Sequence, residues 1–160
     1  MTKIVYSRKK KVMLKGILAI SGQPGLFKMI TESKNSIIVE SLDTGKRMPT
    51  YSTSKISALE DIAIYTETED VPLKDVFKAI HEKENGGASI SHKASGNELK
   101  KYFSEILPEY DKDRVYASDI KKVIQWYNIL HEKEMLDFSE EEESDAESSE
   151  DSNTEGSKQV

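Results

Sequence analysis

Two periods of hydrophobic positions divide the chain. From about Leu14 to Thr68 the apolar residues come in short runs separated by turn residues, which predicts strands. Gly16 to Ile20 is the first run, ended by Ser21-Gly22-Gln23-Pro24-Gly25, a strong turn signal. Leu26 to Ile30 follows, then a turn at Ser33 to Ser36, then the β-branched run Ile37 to Leu42. Asp43-Thr44-Gly45 predicts a hairpin, and Lys46 to Tyr51 resumes the strand, with Pro49 marking an edge or a bulge. Ser57 to Glu60 is expected to form one tight turn and Asp61 to Tyr65 a fifth strand. Five short strands are too few for a sandwich, and a small SH3-like barrel uses them best, because closure removes exposed edges.

From about Val71 to Leu136 the period changes to that of helices. Leu73, Val76, Phe77 and Ile80 follow the i, i+3, i+4, i+7 rule, with Val71-Pro72 expected in the first turn and Gly86-Gly87 as the stop. Ser95-Gly96-Asn97 can cap a second helix carrying Leu99, Tyr102, Phe103, Ile106 and Leu107, which Pro108 ends. Ser118 can cap a third, with Ile120, Val123, Ile124, Tyr127 and Leu130 on one face and Trp126 nearby. The expected architecture is α+β: a barrel over residues 13–68 and a three-helix orthogonal bundle over residues 71–136.

Four stretches are distinctive: Leu14 to Lys28, Val39 to Pro49, Leu59 to Ile62 and Asp113 to Lys122. Over Met13 to about Leu136 the chain resembles a family of uncharacterised bacterial proteins that join an SH3-like barrel domain of unknown function to a small helical domain of unknown function. The resemblance implies that fold and carries no reaction or partner with it.

Charge adds the two ends. The formal net charge is −6, but residues 139–160 alone carry −8, with nine acidic residues and one lysine, and the remainder carries +2. The terminal segment has no aromatic residue and almost no aliphatic one, so it is expected to be a disordered acidic tail. Its ordinary role is to solubilise; its sharper one is to mimic nucleic acid electrostatically toward a basic surface. Residues 1–12 are polar and basic without a clear period. They form either a flexible arm or an upstream extension of a chain that starts at Met13.

Composition removes several classes of chemistry. With no cysteine there are no disulfides, thiolate metal sites or thiol nucleophiles. No apolar run approaches the ~20 residues that span a bilayer, and no cleavable leader pattern is present, so a cytoplasmic protein is expected without a membrane role. His81 and His131 each open a His-Glu-Lys-Glu sequence near a helix end, where a cation complements the helix dipole. The third histidine, His92, stands apart from both, and no His-Glu-x-x-His pattern exists. Asp111-Lys112-Asp113 begins like a calcium loop, but Tyr116 and Lys122 stand where glycine and glutamate are needed, so a turn and capping role is expected. Gly22 to Gly25 meets neither phosphate-binding pattern, and Ser21 lacks a nucleophile-elbow context.

The expectation is a non-catalytic interaction or adaptor protein with no cofactor and no metal, whose partner is a protein. The alternative is a nucleic-acid-associated factor, acting on RNA or the ribosome. In that case Lys28, Lys46 and Arg47 would meet phosphates on the barrel surface and Phe27 would stack on a base. Interleaved acids such as Glu40 and Asp43 weigh against that surface. The aromatic set Tyr102, Phe103, Tyr110, Tyr116, Trp126 and Tyr127 has helical spacing, which reads mainly as core, with an exposed share available to a protein partner.

Overall fold

A computed structural model describes residues 13–51 and 55–138. The basic arm and the acidic tail lie outside the described residues. Contacts divide the chain into Leu14–Met135 and a unit of both ends, Met1–Met13 with Leu136–Val160. Within the latter, the Asp137 amide donates to Met13 Sδ at 3.3 Å. All that follows concerns Leu14–Met135.

The protein is α+β, with a five-stranded antiparallel sheet followed by a hairpin and three helices. Strands β1 (Ile17–Ile20), β2 (Phe27–Glu32), β3 (Ser36–Ser41) and β4 (Arg47–Tyr51) form a meander. Strand β5 (Ile56–Ala58) then returns to the other side of β1, giving the order β4-β3-β2-β1-β5. Ile20 pairs with Ile56 and Leu18 with Ala58. No ladder joins β4 to β5 among the described residues.

The fifth strand of this sheet therefore corrects the sequence expectation. Residues 56–58 form it, where a tight turn was expected, and a 3-10 turn occupies Leu59–Asp61 instead. The expected strand at 61–65 is β6 (Ala63–Tyr65), which pairs with β7 (Asp70–Pro72) in a separate two-stranded sheet. A strand as short as Ile-Ser-Ala carries little propensity of its own; its pairing with β1 decides its state.

Leu18, Ile20, Phe27 and Val39 make the buried centre of the sheet, with Ile37, Met48, Ile56 and Ala58 packed against them. Met48 and Ile56 belong to the two edge strands, where Met48 pairs with Val39 and Ile56 with Ile20, so each edge adds its apolar residue to the same core. Strand β1 is buried on both faces, with Ile17 as well as Leu18 and Ile20 removed from solvent.

The 3-10 turn links sheet to helices. Its Leu59 is fully buried, and the turn packs against both β1 and α1 (Leu73–Lys83). Pro72 does not lie in the first turn of α1; it ends β7 and caps the helix. Helix α2 (Gly96–Ile106) begins with a complete capping box: Ser95 Oγ accepts from the Glu98 amide, and the Glu98 carboxylate accepts from the Ser95 amide. Helix α3 (Ala117–Glu132) is capped two residues before the expected Ser118, with Asp119 accepting from the Tyr116 amide. The apolar stripes of the three helices meet around Phe77, Phe103, Ile124 and Tyr127, all fully buried.

Candidate functional site

Elements far apart in sequence build a cleft of about 580 Å³. One wall is the turn Ser21 to Gly25 between β1 and β2, together with Ala19, Lys55 and Ser57. The other is α3, which presents Lys122, Gln125 and Trp126. Each wall has a local cause. Gly25 adopts φ +82°, a backbone conformation that side chains with a Cβ rarely take, and it lies against Asp43 of the β3–β4 turn, whose Oδ2 stands 3.0 Å from where a Cβ would be. Ser21 donates its amide to the Lys55 carbonyl at 2.9 Å, which holds the start of β5 beside the turn. On α3, Lys122, Gln125 and Trp126 follow an i, i+3, i+4 spacing and so share one face. Val123, Ile124 and Tyr127 take the buried face, leaving the Trp126 indole half-buried.

A second cleft, of about 240 Å³, also takes Lys122 and Trp126 in its wall. Its other lining residues include Ala63 to Tyr65 of β6, Arg114, Val115 and the carboxylate Asp119, which accepts from the Tyr116 amide. The Arg114 guanidinium lies over the Tyr65 ring, 4.0 Å from its centroid, and pairs with Asp111 Oδ2 at 2.8 Å. That pairing, with the amide of Asp113, holds the Asp111 carboxyl below the usual carboxylate range. Asp111 thus serves a turn: its Oδ1 accepts from the amides of Asp113 and Arg114. Lys55 and Lys122 are exposed, and no ion pair among the described residues engages either ammonium.

The four residues singled out on the sheet surface are placed differently. Lys28 pairs with Glu40, and Glu40 with Arg47, so the three form one row across β2, β3 and β4. Adjacent strands lie about 4.8 Å apart, so Lys28 and Arg47 stand about 10 Å apart with a carboxylate between them. Arg47 Nε is 3.6 Å from Glu40 Oε1. Lys46 lies just before β4, outside that row, and its carbonyl accepts from the Ser41 amide. Phe27 is only 4% exposed and belongs to the sheet core, so its ring is not offered to a base. Of the aromatic set, Tyr102, Phe103, Tyr110 and Tyr127 are buried, whereas Tyr116 is 62% exposed.

The histidines at the helix ends hold a loop. Just beyond α1, Asn85 and Gly86 both take positive φ, and the Gly86 amide donates to the His81 carbonyl at 2.8 Å. His131 Nε2 lies 3.1 Å from the Gly86 carbonyl, and its ring stacks on Tyr127. Tyr127 Oη donates to the Gly87 carbonyl and Tyr102 Oη to Glu84 Oε2, while Asn128 donates to the Ile90 carbonyl and accepts from the Ser89 amide. Burial and the adjacent Glu84 carboxylate push the Tyr102 hydroxyl far up, so it stays a donor. This is a strap of side chains fixing residues 84–90 onto α2 and α3. Among the described residues no three histidine or carboxylate side chains converge as metal ligands.

A five-stranded antiparallel sheet joined through a 3-10 turn to three helices defines the class of the protein. Its two parts are similar to two family models: residues 14–59 match Domain of unknown function (DUF5606), and residues 62–130 match Domain of unknown function (DUF6852). The chain is also 51% identical to a protein from Bacteroides vulgatus, a structural-genomics target with a solution NMR structure. That likeness covers 79% of this chain and 91% of the other, with a TM-score of 0.67. No curated protein matches the chain. The protein belongs to this uncharacterised bacterial family, as the four distinctive stretches implied. The two matched regions meet at the 3-10 turn, so β6 and β7 fall with the helices.

Proposed function

We propose that the protein is a non-catalytic binding module whose partner enters the cleft between the Ser21–Gly25 turn and α3. One observation carries this reading: two exposed ammonium groups, Lys55 and Lys122, neither in an ion pair among the described residues, flank a half-buried indole in a concave site. Concave sites with a few convergent polar groups around an aromatic surface are where ligands gain contact area and orientation together. A tryptophan left half-buried on an otherwise well-packed helix suits an interface anchor.

The sheet is read as an SH3-like barrel and the helices as an orthogonal bundle. The return of β5 to the far side of β1, beyond a four-strand meander, supports the first reading. No helix among the described residues is long and apolar enough to cross a membrane, and the cytoplasmic setting rests on the sequence. The test is capture from lysate by immobilised full-length protein, compared with a Lys55→Glu/Lys122→Glu variant. A partner held by the wild type and lost from the variant supports the reading. Equal retention by both overturns it.

A further inference from the structure

We propose that the paired clefts bind a single-stranded nucleic acid, with Trp126 as the stacking platform and Lys55 and Lys122 drawing the backbone phosphates. The inference rests on the binding-module reading and names the ligand of the same site. Lys122 and Trp126 stand in the walls of both clefts, so a strand passing from one to the other crosses the indole. The smaller cleft supplies a second aromatic, Tyr65, which is 43% exposed and carries the Arg114 guanidinium over one face of its ring. Cations interleaved with aromatic faces along a groove are what single strands require, since every base has a π-face and every nucleotide a charge. Gln125, in the same wall, can donate to or accept from a base edge.

Two observations favour a nucleic acid over an extended peptide. A peptide that adds to a sheet needs a long free edge, and the edge beside the cleft, β5, is three residues long. An acidic segment would be served by the lysines alone, leaving the indole and its flanking glutamine unused. The row of Lys28, Glu40 and Arg47 on the sheet offers no competing site, because Glu40 divides the two cations and Phe27 is buried.

Trp126 is the single tryptophan of the chain, so its fluorescence reads the site directly. Full-length protein titrated with a twelve-nucleotide oligouridylate at low salt should show a quenched indole emission. Two phosphate contacts to a single strand give a log–log salt slope of about −1.4. The Lys55→Glu/Lys122→Glu variant, which changes only exposed side chains, should keep its melting temperature and bind about tenfold or more weakly. A hexaglutamate peptide at equal charge concentration should not quench. The proposal is overturned by an unquenched indole at low salt, by unchanged affinity in the variant, or by hexaglutamate quenching as well as the oligonucleotide. If the oligonucleotide fails while lysate capture still depends on the two lysines, the nucleic-acid assignment falls and the binding-module reading survives.

Discussion

Tyr127 donates its hydroxyl hydrogen to the carbonyl of Gly87, 2.8 Å away and 40 residues earlier in the chain. The ring beneath that hydroxyl is fully buried and meets Phe77 edge-on, with centroids 5.9 Å apart. One residue of α3 thereby fills the helical core and ties down the loop that leaves α1. Replacing Tyr127 with Phe keeps the packing and strips the Gly87 carbonyl of its donor. A loss of about 1 kcal/mol is expected, measured as a lower urea midpoint at unchanged slope.

Leu59 is expected to cost more. It is fully buried in the 3-10 turn that touches both β1 and α1. Leu59→Ala opens a cavity at that junction, and about 2–5 kcal/mol should be lost in equilibrium unfolding. A cost below about 1 kcal/mol would mean that sheet and helices do not depend on this contact.

Acid should weaken the loop before α3. The Arg114 guanidinium and the Asp113 amide depress the Asp111 carboxyl in the folded state. Its stabilisation is therefore fully present above the unfolded carboxylate range, near pH 4, and is lost as pH falls through the lower folded value. Thermal unfolding from pH 5 to pH 2 should fall less steeply for Asp111→Asn than for the wild type. Parallel curves would remove Asp111 from the acid response.

The sheet surface gives a control for the cleft. Changing Lys28, Lys46 and Arg47 together to Glu should leave oligonucleotide affinity within about twofold of wild type, apart from a shared long-range charge effect that salt removes. A loss as large as that of the Lys55→Glu/Lys122→Glu variant would return the binding site to the sheet.

Much of this architecture was legible in the residues. The spacing of Leu73, Val76, Phe77 and Ile80 marks α1, and Ser95 with Glu98 marks the start of α2, because both signals lie within a few residues of one another. The Gly22–Gly25 and Gly45 turns are legible for the same reason. Strand β5 was not, since Ile56-Ser57-Ala58 becomes a strand only by pairing with Leu18 and Ile20, almost 40 residues earlier. Phe27 was misplaced because its face depends on strand parity, and parity follows from pairing. The cleft has no local signature at all. Its walls are about a hundred residues apart in sequence, and Trp126 reads as one more apolar residue until the Ser21–Gly25 turn is set opposite.

Strand β5 is short, lies at an edge and pairs with β1 across the whole intervening β2–β4 stretch of sequence. Pairings between distant segments form late and open readily when few bonds hold them. Lys55 precedes this strand directly, so one cation of the cleft rides on a three-residue edge strand. Amide hydrogens of residues 56–58 should exchange ahead of those in β2 and β3, and bound ligand should slow them selectively. The groove would then be a catch whose latch is a short edge strand, open to tuning by whatever steadies three residues.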